Sequence, residues 1–141
     1  MGLRRPWRLA ARCAWDCRCA PEEEDRVKRV PAILLATSAG KWIEVLALPI
    51  THTPPSNPKE AFELPPATKV RLGLDGERSW VVLTEVNWFV WPGPDLRRVS
   101  PQRDTCLYGF LPENIFGAIR HEFLKLRGER RVRIVPRTER A

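Results

Sequence analysis

The sequence predicts a mainly β, α+β domain in which a small curled sheet of five to seven strands is closed by one C-terminal α-helix. Three observations carry that expectation. Val45 to Ile50 is an almost unbroken apolar run, too short for a buried helix and rich in strand formers, so it reads as a central strand covered on both faces. Fourteen prolines outnumber eight glycines, which suits short strands and rigid turns better than a helical bundle. Only one stretch, from Pro112 to Arg127, carries a sustained helical stripe.

The elements follow in order. Residues 1–25 are expected to be an irregular basic segment, because Arg-rich MGLRRPWRLAARCAWDCRCA lacks the alternation of a barrel strand and an apolar core of signal-peptide length. Residues 26–127 form the expected barrel domain. In it, Val30 to Thr37 is the first strand, and the Ser38-Ala39-Gly40 turn makes a hairpin with the strand that starts at Lys41. That second strand stops abruptly at Thr51-His52-Thr53, because Pro54 and Pro55 cannot extend a ladder. Two hydroxyls and an imidazole therefore stand at the rim of a rigid strand.

Lys59 to Leu64 reads as a short strand, and Pro65-Pro66 opens a helical turn that Gly73 ends. Asp75-Gly76 is a turn. Ser79 to Trp91 is too long for one flat strand at about 3.3 Å per residue, so a bend is expected near Glu85 to Asn87. Glu85 and Asn87 share one parity. Pro92 to Asp95 is a tight turn, and Leu96 to Val99 and Leu107 to Leu111 are short strands. Ile115, Phe116, Ile119, Phe123 and Leu126 make the helical stripe, with Gly128 as its stop. Residues 128–141 are a basic tail that either adds an edge strand at Val132 to Val135 or stays mobile. Bent strands with one terminal helix suggest a compact SH3-like barrel.

Charge narrows the function classes. The net +7 divides into +4 on residues 1–20, −1 on 21–29, zero on 30–126 and +4 on 127–141. The excess sits in the ends, so the folded centre has no evident basic face. No apolar run approaches the roughly 20 residues of a membrane span, so a soluble, cytoplasmic protein is expected. Cys13, Cys17 and Cys19 lack the spacing and nearby His of a zinc site, and with Cys106 they read as reduced thiols.

A strand of the type VPAILLAT, a hairpin into EVLALPIT, a later VVLTEVNWF and a terminal helix resemble the PemK/MazF family of toxins from toxin-antitoxin pairs. The resemblance covers about residues 26–126, and Leu48-Pro49-Ile50-Thr51 is its most telling piece. It implies a dimeric, metal-independent endoribonuclease, without a cofactor, that cuts single-stranded RNA by 2′-hydroxyl attack and is held in check by an antitoxin protein. Thr51 matches the family's active-site threonine and would donate to a phosphate oxygen. His52 and Glu85 are the titratable candidates for proton transfer, and Arg29, Thr53, Asn87 and Trp88 are candidate substrate contacts. Two departures stand out. Arg29 is one position from where the family places an Arg before proline, and Asn87 stands where the family commonly has a catalytic Arg. They define an alternative, a catalytically degenerate module of the same fold that acts through protein or nucleic-acid contacts.

Overall fold

The computed structural model describes the backbone of residues 9–16, 27–39, 42–90 and 107–136, with side chains at 32, 33, 43–90 and 108–136. Strands β1 (Leu9–Asp16), β2 (Val27–Ala39) and β3 (Trp42–Thr51) come first. A 3-10 turn at Pro58–Glu60 leads into β4 (Ala61–Glu63), and α1 (Pro66–Arg71) precedes β5 (Trp80–Val82) and β6 (Glu85–Val90). Then follow β7 (Leu107–Phe110), α2 (Glu113–Gly128) and β8 (Arg133–Pro136).

The apolar run of Val45 to Ile50 lies within β3, which has neighbours along both edges. One edge pairs with β2 over eight residues, from Ala32 opposite Pro49 to Ala39 opposite Trp42. The other edge is divided. Glu44 to Ala47 pair with β6, whereas Ile50 and Thr51 pair with β5. The long strand expected over Ser79 to Trp91 is therefore broken at Leu83-Thr84, slightly before the bend placed at Glu85 to Asn87. The sheet runs β4-β5-β3-β2-β1-β7, with β6 on β3 and β8 parallel beside β6. It curls into a partly open barrel.

Eight strands, rather than five to seven, are present among the described residues. The surplus comes from the two ends. Leu9–Asp16, expected to be irregular, pairs with β2 along its whole length and with β7 at Leu9 to Ala11. Leu9, Ala11, Cys13 and Trp15 share one parity against Arg12 and Asp16 on the other, an alternation that the Arg-rich composition of residues 1–25 masks, and pairing fixes the strand. Arg133–Pro136 takes the edge-strand option for the tail by joining β6. The sheet thus extends past both expected domain limits, 26 and 127. The expected strand at Leu96 to Val99, the turn at Pro92 to Asp95, and Cys17, Cys19 and Cys106 lie outside the described residues.

Alternate residues of β3 are buried on opposite faces. Leu48 and Ile50 join Ile33, Val81 and Val86 in the main core, which the α2 residues Phe116, Ile119, Phe123 and Leu126 cover as the stripe predicted. Each such side chain contributes about 1.5–3 kcal/mol of burial. Val45 and Ala47, of the other parity, lie opposite Phe89 and Asn87 of β6, and all four are buried. This outer face matters for the site. Among the described residues no helix is long and apolar enough to cross a membrane.

Both helices end in the same way. After α1, the Leu74 N–H donates to the Lys69 carbonyl and the Gly73 N–H to that of Val70, with Gly73 at φ +70°. This is a Schellman ending with glycine at its left-handed position. After α2, the Arg131 N–H donates to the Leu126 carbonyl, and the left-handed residue is Arg130 at φ 58°. Gly128, expected to stop the helix, is its last residue instead. An exposed Arg carries the backbone cost there. Arg130→Gly is expected to raise stability by about 0.5–1 kcal/mol in urea unfolding, while Gly128→Ala, within the helix, is stabilising for a different reason, helix propensity, by a similar amount.

Candidate functional site

Strand register fixes what surrounds Thr51. Residues directly opposed on antiparallel strands project to the same face. Ile50, Val81 and Phe62 are opposed across β3, β5 and β4, and they face the main core. The next row, Thr51, Trp80 and Glu63, must therefore project to the outer face. Thr51 is half-buried at the end of β3, and its Oγ1 accepts the Thr53 N–H at 3.1 Å. His52 and Thr53 are exposed beyond the last ladder position.

His52 is held on both sides of its ring. Nε2 lies 2.8 Å from Asp75 Oδ2, and Nδ1 lies 3.5 Å from Glu77 Oε2. The α1 ending supplies these partners: the chain reverses at Gly73 and brings Asp75 back beside Lys69. Lys69 is buried and its ammonium donates to Asp75 Oδ1 at 2.7 Å and to the Glu77 carbonyl. The Glu77 N–H also donates to Asp75 Oδ1, at 3.1 Å. The Lys69 hydrogen bond holds the Asp75 carboxyl below its ordinary range, with smaller help from the Glu77 N–H and His52. Asp75 thus stays ionised and shared, one oxygen towards Lys69 and the other towards His52.

The outer face continues past Trp80. Arg78 stacks on the Trp80 ring, its guanidinium carbon 5.0 Å from the centroid, and forks onto Glu63 through Nε at 2.8 Å and Nη2 at 2.9 Å. This fork lowers the Glu63 pKa and raises that of Arg78.

Of the residues expected at the site, Thr51, His52 and Thr53 lie together. Glu85 does not join them. It is exposed at the start of β6, opposite Arg133, and makes no hydrogen bond or ion pair with His52. The break at Leu83-Thr84 is the reason, since it separates Glu85 from the strand that borders Thr51. Asn87 is buried on the outer face opposite Ala47 rather than presented to solvent. Trp88 is half-buried between Leu46 and Pro136. Arg29 lies in the backbone of β2, and its side chain is outside the described residues.

Sequence reasoning missed Asp75, Glu77, Lys69 and Arg78 as neighbours of His52 and Thr51. Asp75-Gly76 carried only a turn signal, and a sequence separation of 23 between His52 and Asp75 is no spacing that reports their contact. His52, Asp75 and Glu77 offer ligand atoms within 4.8 Å of one another, so a divalent cation could also use them. Such a cation would displace the proton that His52 Nε2 shares with Asp75.

No protein-family model matches this chain, and no curated protein or solved structure shows significant similarity to it.

The lowered Asp75 pKa fixes a sign. A carboxylate with a depressed folded-state pKa contributes stability that is fully present above its unfolded value, about 4, and is lost as pH falls through the folded value. Asp75→Asn is therefore expected to destabilise at pH 7, by about 1–2 kcal/mol given that Asp75 is half exposed, and to converge on the wild type as the pH falls from neutral through the lowered folded-state value. Denaturant midpoints measured across that range check the convergence.

Proposed function

We propose that this chain is a metal-independent endoribonuclease of the PemK/MazF type, built on an SH3-like barrel and cutting single-stranded RNA by 2′-hydroxyl attack. The observation that carries the reading is the His52–Asp75 pair at 2.8 Å, one residue beyond Thr51 at the fixed end of β3. An imidazole oriented by an ionised carboxylate has the geometry of a general base. In this mechanism His52 Nδ1, whose contact with Glu77 at 3.5 Å the substrate displaces, takes the 2′-hydroxyl proton, while Nε2–H stays on Asp75, which stabilises the imidazolium that forms. The 2′-oxygen bonds to phosphorus while the bond to the 5′-oxygen breaks, leaving a cyclic phosphate. The departing oxygen takes a proton from water. Thr51 donates its hydroxyl hydrogen to a phosphate oxygen, which its own acceptance of the Thr53 N–H leaves free to happen. A second copy of the chain and an antitoxin protein are the partners this reading implies, in the cytoplasm.

One observation favours a second reading. Lys69 and Arg78, the described cations whose contacts tie them to this row and to Asp75, are each bound to a carboxylate. Without a free cation the developing phosphorane charge rests on Thr51 and backbone donors, and one missing donor costs about 10²–10³ in rate. A degenerate module that binds without cutting fits that charge balance.

Incubation with a long single-stranded RNA in excess chelator separates the two. Discrete cuts are expected, each leaving a cyclic phosphate and a 5′-hydroxyl. His52→Ala and Thr51→Ala should each slow them by about 100-fold or more. Absence of cutting by the folded protein would leave the binding module. Cutting that survives both substitutions unchanged would place the chemistry elsewhere.

A further inference from the structure

We propose that the Trp80–Arg78 stack is a platform for a nucleobase, set beside Thr51 so that a nucleotide whose phosphate reaches the strand end lays its base on the guanidinium. The inference rests on the RNA reading above and names the contact that would recognise the substrate.

Three features of the outer face support it. Trp80 is buried, so its ring is not itself the contact surface, and what solvent meets is the guanidinium stacked on it. Arg78 remains 72 % exposed in that position, which leaves its outer plane open. Glu63 grips it edge-on through two nitrogens, a planar fork that fixes the orientation of the plane as well as its position. Because Glu63 neutralises Arg78, the guanidinium is poorly suited to clamp a phosphate. Its remaining use is its flat face, and a guanidinium plane stacks on bases as aromatic rings do.

Position completes the argument. Trp80 is the direct cross-strand partner of both Thr51 and Glu63, so the residue that supports the platform stands one strand spacing, about 5 Å, from Thr51 on the same face, and the guanidinium over its ring is gripped by Glu63 from the next strand. That row joins the hydroxyl, the aromatic support and the clamp.

The test uses the full chain and a short fluorescein-labelled 2′-O-methyl RNA of mixed sequence, which cannot be cut by 2′-attack, so binding is read whether or not the chain is a nuclease. Fluorescence anisotropy is expected to show Arg78→Ala weakening binding about tenfold. Arg78→Lys, which keeps the charge and loses the plane, should weaken it as much. Glu63→Gln should weaken it less, by loosening the fork. An oligonucleotide with abasic sites throughout should bind the wild type weakly and be indifferent to Arg78→Ala. Wild-type affinity in Arg78→Lys, equal binding of intact and abasic probes, or no binding by the wild type would each overturn the platform. Thermal melts of the exposed-site variants confirm that each is folded. Binding without cutting in the chelator assay retains the platform and removes only the nuclease, and cutting with unchanged binding in Arg78→Ala does the reverse.

Discussion

Strand β3 must satisfy its backbone on both edges while burying side chains on both faces. A central strand with that burial has no water to turn to, so each inward N–H and C=O needs a ladder partner. β2 supplies one edge in a single continuous run. The second edge is shared between two strands from one stretch of chain, β6 along Glu44 to Ala47 and β5 at Ile50 and Thr51. The kink at Leu83-Thr84 lets that stretch serve two sides of the curled sheet. Leu83 is fully buried at the kink, and its N–H donates to the Glu60 carbonyl, so the break is anchored. The site inherits its layout from this division. Because β5 pairs with the end of β3, Trp80 and Glu63 align with Thr51, while Glu85 is carried away.

A second constraint comes from the buried ammonium of Lys69. An unpaired buried charge would cost several kcal/mol, and the helix ending resolves this by returning Asp75 and the Glu77 carbonyl to it. Gly73 makes the return without the backbone cost that Arg130 carries in the same left-handed position after α2. Asp75 therefore serves the fold through one oxygen and His52 through the other. The two roles reinforce one another: Lys69 keeps the carboxylate ionised, and only an ionised carboxylate stabilises an imidazolium.

The parts of the fold set by local pattern were legible in the sequence. The β2–β3 hairpin, the stripe of α2 and the stop at Gly73 each depend on neighbours within a few residues, where periodicity and turn chemistry speak directly. β1 was hard to see, because its alternation of Leu9, Ala11, Cys13 and Trp15 with Arg12 and Asp16 is diluted by alanine, a weak strand former, and its state rests on β2 along its length and on β7 at Leu9 to Ala11. The site divided on the same line. Thr51 and His52 were visible from the abrupt end of an apolar strand, whereas Asp75 stands in what reads as an ordinary Asp-Gly turn. The parity of Glu85 and Asn87 was read from the sequence, but parity does not say where a face changes from solvent to cover. Asn87 falls on the buried side of that limit and Glu85 on the exposed side.

The outer face finally bears on how such a site attracts anything. Lys69 is matched by Asp75 and Arg78 by Glu63, and Glu77 adds a further carboxylate beside His52, so the row has no net positive field. That agrees with the zero balance of residues 30–126 and leaves the excess positive charge at the chain ends. Long-range attraction for a polyanion would then come from the ends, and discrimination from short-range contacts on the row. A fixed plane and an oriented imidazole are suited to that task because both act at contact distance and neither depends on an unpaired charge. The same pairing that weakens the site as a phosphate clamp holds His52 and Arg78 in one geometry, and that geometry is what the site has to offer a ligand.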